Sequence, residues 1–181
     1  MINLLPTEII EKLKKCTQDT IHHPEGSVYN HIIQVYNNVC TFWNSDIDLL
    51  ISAIFHDLGK LESTQYKPIY YMGRLVRFKI SNIGHEFKSL KYIDEYKHLF
   101  DKYNVNWEKV YELVSNHMMC HKYINNELKK PNKRKLYEGN QYFIDIIKFS
   151  MCDSYNPVRN DTINNLTLKL QNGTELLFEI K

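Results

Sequence analysis

Apolar residues recur along much of the chain at steps of three and four, the spacing that gathers them on one face of an α-helix. Thr7 is placed to cap a first, outer helix over residues 7–17, with Glu8 in its first turn and Ile9, Ile10, Leu13 and Cys16 on one side. A polar stretch broken by Pro24 and Gly26 follows, and Ser27 is placed to cap a second helix over residues 28–43. Its stripe is Val28, Ile32, Val35, Val39 and Phe42; His31 lies beside Ile32 and Val35 and so faces inward. Asp46 or Ser45 caps a third helix that is apolar nearly all round, from Leu49 to Phe55, and reads as the central buried one. It delivers the doublet His56-Asp57 at its end, where Gly59 breaks it.

Beyond residue 63 the period shortens. Ile69-Tyr70-Tyr71 and Leu75-Val76-Arg77-Phe78 flank Met72-Gly73, which predicts a small irregular hairpin lying over the doublet as a lid. Gly84 precedes a helix from His85-Glu86 to about residue 100, with Phe87, Leu90 and Ile93 inward. Another helix over residues 106–123 places Val110, Leu113, Val114 and His117 on one face. The basic run from Lys129 to Lys135 is a loop or a solvated helix start. A last helix over residues 141–152 aligns Phe143, Ile146, Ile147 and Ser150, with Asp153 one turn beyond Ser150 and Pro157 as its stop. The tail predicts a hairpin. A two-residue turn at Asn172-Gly173 would oppose Leu166 to Glu179, whereas a three-residue loop with Gly173 left-handed aligns Leu168 with Leu176 and Leu166 with Phe178. The second register is preferred because it leaves one apolar face to dock on the helices.

The pattern therefore predicts an all-α bundle with a small lid hairpin and a C-terminal β-hairpin. It is expected to form one domain over residues 1–181, with its core at about 22–156 and the terminal hairpin at about 165–180. A length of 181 residues with 43% hydrophobic content suits a single core. The net charge of +2 predicts no global field for nucleic acid and leaves room for local basic patches. Cys16, Cys40, Cys120 and Cys152 form no CxxC pair, so reduced thiols are expected rather than a disulfide framework or a zinc ribbon. Early charges and the lack of a long apolar run predict neither a signal peptide nor a membrane span, hence a soluble, cytoplasmic protein.

Candidate chemistry changes the picture more. His31, His56, Asp57, His85, His117 and Asp153 are all inward or at helix ends, and nearly every one comes from a different helix. Singly each has an ordinary explanation: an inward His is usually a hydrogen-bonded core residue, and Asp153 a helix-end residue. Together they suit one or two divalent transition metals, because imidazole mixed with carboxylate fits Mn, Fe, Co, Ni or Zn.

The string FHDLGK, with an earlier helix carrying His31 and a late one ending in Asp153, resembles the HD superfamily of metal-dependent phosphohydrolases. The likeness is closer still to the HD domain of bacterial CCA-adding enzymes (tRNA nucleotidyltransferases). HHPEGSVYNH is similar to the stretch leading to that family's first His, MGRLVRF followed by GHE to its Gly-Arg, Arg-Phe and Gly-His-Glu stretch, and NHM continues the match. The resemblance covers about residues 22–153. It departs in two places: there is no nucleotidyltransferase head, so CCA addition is not implied, and the final motif reads MCDS, matching chiefly through Asp153.

The resemblance implies an HD-domain helical bundle in which His31, His56, Asp57 and Asp153 hold one metal and Asp57, His85 and His117 a second. The implied activity is hydrolysis of a phosphoester of a nucleotide, a nucleotide second messenger or an RNA end. The enzyme would be a phosphodiesterase, including 2′,3′-cyclic, or a phosphomonoesterase. A nucleoside mono- or triphosphate phosphohydrolase and a non-catalytic, metal-stabilised RNA- or protein-binding module are the alternatives. Asp57 and Lys60 are the expected catalytic residues. Lys60, Arg74 and Arg77 are placed to neutralise phosphate oxygens, against a helix-terminal charge effect for Lys60 and a solvated surface for each Arg. Glu25 and Glu86 are candidates to orient a ligand His; His22, His23 and His121 are weaker ligand candidates. Tyr70, Tyr71 and Phe78 either stack a base or cover the core edge. The oligomeric state is not legible.

Overall fold

The computed structural model describes residues 1–20, 22–124, 128, 130–155, 165–170 and 173–179. They form a mainly helical protein with two separate two-stranded antiparallel sheets. Helix α1 (Thr7–Lys15) is capped one residue earlier than predicted: Pro6 is its N-cap, with its carbonyl accepting from the amides of Ile9 and Ile10, and Thr7 is the first helical residue rather than the cap. The helix also ends earlier, because Thr17 pairs with Ser27 in an antiparallel bridge that closes the polar loop. Ser27 then caps α2 (Val28–Phe42), its hydroxyl accepting from the Asn30 amide at 3.2 Å. Val28, Ile32, Val35 and Val39 are buried, as the stripe predicts.

Helix α3 (Ile47–Phe55) is capped by Asp46, which accepts from the amides of Asp48 and Leu49. Every residue from Leu49 to Phe55 is buried. Leu49, Leu50 and Ala53 join one apolar cluster with Val35, Leu113 and Phe149, while Ile51, Ile54 and Phe55 join a second with Ile32, Ile93 and Phe100. Partners on both sides are the reason α3 carries no polar face.

Gly59 does not break a helix by turning left-handed; its φ of −62° is right-handed, and a turn leads directly into α4 (Lys60–Ser63). The reason for glycine is room. A Cβ there would stand 2.1 Å from the His85 carbonyl oxygen and 2.6 Å from the Ser89 amide nitrogen.

Strands β1 (Gln65–Tyr71) and β2 (Arg74–Ser81) pair antiparallel through a turn in which Met72 and Gly73 have φ of 49° and 75°, as a type I′ hairpin requires. Tyr70, Tyr71 and Phe78 do not cover the core edge; all are exposed. The ribbon is tied down at its base, where the Tyr66 hydroxyl meets Thr17 Oγ1 at 3.1 Å and Thr64 Oγ1 donates to Asn82 Oδ1 at 2.7 Å.

Helix α5 (His85–Tyr96) is shorter than predicted and continues as a 3-10 segment, Lys97–Tyr103. Its inward residues are His85, Ser89, Tyr92 and Ile93, while Phe87 is exposed rather than inward. The contact with Gly59 sets this face. Ser89 Oγ accepts from the Gly59 amide at 2.9 Å and donates to the His56 carbonyl at 2.6 Å, and Phe87, two residues away, falls about 200° round the helix.

Helix α6 (Trp107–Ile124) buries Val110, Leu113, Val114 and His117 as expected. The basic run becomes α7 (Pro131–Glu138), with Pro131 opening the helix, Tyr137 buried and Arg134 donating to Glu138; residues 125–127 and 129 lie outside the described residues. Helix α8 (Phe143–Ser154) runs further than predicted and holds Asp153 within its last turn, while Pro157 lies outside the described residues. Strands β3 (Asn165–Lys169) and β4 (Glu175–Glu179) set Leu168 opposite Leu176 and Leu166 opposite Phe178, with Gly173 at φ 85°. This is the three-residue-loop register, and Leu170 and Leu176 pack against the first apolar cluster. Among the described residues no helix is long and apolar enough to cross a membrane.

Candidate metal centre

The ends of α3, α5 and α8, the first turn of α2 and the middle of α6 converge on one buried cluster. His31, His56, Asp57, His85 and His117 are buried and Asp153 is nearly so. His31 Nε2 stands 2.9 Å from Asp153 Oδ1 and 3.4 Å from Asp57 Oδ2. His56 Nε2 is 3.4 Å from the same Asp57 oxygen and 3.5 Å from Asp153 Oδ1. The other Asp57 oxygen, Oδ1, faces away from that set toward His85 Nε2, 3.2 Å off, which in turn lies 3.1 Å from His117 Nε2. The two oxygens of Asp57 thus face two different ligand sets.

The tautomers follow from the hydrogen bonds. His56, His85 and His117 each direct Nδ1 at a backbone carbonyl, of Ala53 at 3.0 Å, Asn82 at 2.7 Å and Val114 at 2.6 Å. A carbonyl only accepts, so Nδ1 carries the proton and Nε2 is left to present a lone pair inward. His31 is backed differently: its Nδ1 lies 2.8 Å from Glu25 Oε1, and Glu25 also meets His23 Nδ1 at 2.9 Å. Glu25 thus stands against both the His23 and the His31 rings. Glu86 reaches only to 3.5 Å from His85 Nδ1, whose proton goes to Asn82 instead.

This constellation fits a cation. His56 Nε2 is buried without a hydrogen-bond partner, and the lone pairs of His85 and His117 point at each other, an arrangement that needs a proton or a cation between them. Donor atoms bound about 2.1 Å from a common ion lie about 3.0 Å apart at octahedral corners and about 3.4 Å at tetrahedral ones. The 2.9–3.5 Å separations here fall in that range. Two buried groups, His31-His56-Asp153 and Asp57-His85-His117, can each hold a metal ion.

The electrostatics agree. Burial alone would raise the Asp57 carboxyl, but the charge of Lys60, the field of His56 and the His85 ring beside Oδ1 hold it well below the usual carboxylate range. Burial opposes a charge on His31, yet Asp153 and Glu25 outweigh it and lift the imidazole to about 9. His85 is raised because Asp57 outweighs its burial. For His117 the fields of Asp153 and Asp57 are outweighed: burial and the neighbouring His56 push it down to about 3.

Lys60 is buried, with Nζ 2.7 Å from Asp57 Oδ2 and donating to Gln18 Oε1 at 2.6 Å. A solvent-facing helix-terminal charge is excluded. Gln18 and Ser89 have no counterpart among the sequence-predicted site residues; neither sits in an apolar pattern or a ligand motif, so nothing in the sequence marks them. Arg74 and Arg77 stand exposed on β2 and make no ion pair among the described residues. His23 joins Glu25 and His31 in a further group of ligand-type atoms, and the His121 side chain lies outside the described residues. Compared with known proteins, the chain matches no family model, no curated protein and no solved structure.

Proposed function

We propose that this chain is a divalent-metal-dependent phosphohydrolase of the HD type, acting on a phosphoester of a nucleotide, a nucleotide second messenger or an RNA end. The observation that carries this reading is the division of Asp57, with Oδ2 3.4 Å from His31 and His56 and Oδ1 3.2 Å from His85. A carboxylate so placed suits a bridge between two ions. His31, His56, Asp57 and Asp153 would hold one, and Asp57, His85 and His117 the other. A bound divalent ion acidifies water and polarises a phosphoryl oxygen.

The chain's own groups do the rest. Carbonyls of Ala53, Asn82 and Val114 fix three imidazoles as ligands before any ion arrives, and Glu25 does so for His31. Lys60 sets its ammonium beside Asp57, where a phosphoryl group approaching that carboxylate would gather negative charge. Burial of the cluster limits competing water.

The test is the metal content of the purified protein, followed by hydrolysis of an aryl phosphate and a bis-aryl phosphate with added Mn or Ni. Asp57→Ala is expected to lose both ions and all turnover, whereas His85→Ala and His117→Ala lose only one ion. Equal loss in all three removes the bridging role. A metal-loaded protein that hydrolyses neither aryl ester nor any member of a broad nucleotide panel overturns the proposal.

A further inference from the structure

The register of the β1–β2 ribbon sorts its side chains by chemistry. Residues paired across the strands share a face, so Lys67 with Lys79, Ile69 with Arg77 and Tyr71 with Arg74 lie on one side, while Tyr66 with Ile80, Pro68 with Phe78 and Tyr70 with Leu75 lie on the other. Every Lys and Arg of the ribbon is therefore on one face, and the opposite face is apolar and aromatic. Between Glu62 and Glu86 the sequence has no acidic residue. Lys67 sits directly opposite Lys79, a like-charged pair that costs a two-stranded sheet stability. Among the described residues none of Lys67, Arg74, Arg77 and Lys79 makes an ion pair.

Among the described residues the apolar face has no cover either. Tyr66, Tyr70, Leu75 and Phe78 are 50–62% exposed. Its lower end is anchored toward the metal centre: Tyr66 bonds Thr17, whose neighbour Gln18 holds Lys60 against Asp57.

We infer that the ribbon is a docking surface for single-stranded RNA, with bases stacked on Tyr70 and Phe78 and phosphates held by the cations. An aromatic platform backed, on the reverse face of a narrow ribbon, by unpaired cations is complementary to a polyanion that carries a π-face at every unit. Neighbouring strands are only about 5 Å apart, so Lys and Arg side chains reach round the ribbon's open edges to a backbone lying along the other face. The Tyr70 hydroxyl, which makes no hydrogen bond among the described residues, is available to a ribose 2′-hydroxyl. The inference rests on the proposed function only in taking the end of the bound strand as the substrate.

The test is fluorescence anisotropy of a labelled, unstructured RNA of about 12 nucleotides with the full, metal-loaded chain, the oligomer's integrity being checked on a gel. Binding is expected to weaken with salt at a logarithmic slope near −3, about 0.7 for each phosphate neutralised. Lys67→Ala/Lys79→Ala should lower that slope by about 1.4, and Tyr70→Ala/Phe78→Ala should weaken binding roughly tenfold or more while leaving the slope in place. Both double variants should keep the wild-type metal content and Tm, which separates lost docking from misfolding. Unchanged RNA affinity in both variants overturns the inference, as does equal affinity for DNA of the same sequence. So does a concentration-dependent dimer abolished by Tyr70→Ala/Phe78→Ala, which would make the aromatic face a self-association surface. Aryl phosphate hydrolysis without RNA binding removes the ribbon's role alone, whereas RNA binding on a chain that hydrolyses nothing upholds it and overturns the proposed function.

Discussion

Phe55 and Phe78 are the same residue in opposite circumstances. Phe55 closes α3 in full burial, its ring 5.5 Å from that of Phe100 and 6.3 Å from that of Trp107. Phe78 stands on the β1–β2 ribbon with half its surface in solvent. The difference lies in the number of partners. Helices α2, α5, α6 and α8 all pack on α3, so whatever side its apolar residues face is covered. The two-stranded ribbon is anchored at its base and has no second layer among the described residues, so its alternation of apolar and polar residues describes two faces without supplying a cover for either.

Substitutions sharpen this contrast. Phe55→Ala should show the largest loss, about 3–5 kcal/mol in denaturant unfolding, because the cavity has packed neighbours on every side. Gly59→Ala should follow at about 1–3 kcal/mol: the added methyl collides with backbone of α5, and the same variant should bind less metal through displacement of His85. Glu25→Gln should leave folding nearly unchanged and lower metal affinity by about 10- to 100-fold in a competition titration, since it acts by orienting His31. Phe78→Ala should shift stability by less than about 0.5 kcal/mol. A loss at Phe78 as large as that at Phe55 would mean that the ribbon packs on the body in solution, and the contrast would fail.

Much of the architecture was legible in residue order. The helical stripes of α2, α3 and α6, the caps at Ser27 and Asp46, and the register of β3 with β4 follow from local periodicity and turn chemistry, which depend on neighbours in the chain. The ligand-type residues were legible for the same reason, as polar side chains on otherwise apolar faces. What escaped were contacts made by residues distant in sequence. Phe87 looked inward because it is apolar, but the face of α5 was decided by Gly59, thirty residues before Ser89. Gln18 reaches Lys60 only because the Thr17–Ser27 bridge folds its loop back, and no spacing rule foretells that. Lys60 was expected to face phosphate oxygens, and its burial between Asp57 and Gln18 was not foreseen.

The Ser89 hydroxyl takes the Gly59 amide and gives its own proton to the His56 carbonyl, so the backbone bearing His56 and Asp57 is bolted to the helix that begins with His85. The gap between the two ligand sets is consequently gauged by main chain against main chain rather than by adjustable side chains. An oversized ion could be admitted only by parting two helices that already touch. Any cation that the two groups could hold would therefore meet a spacing set by helix packing, not one that its ligands can adjust to suit it.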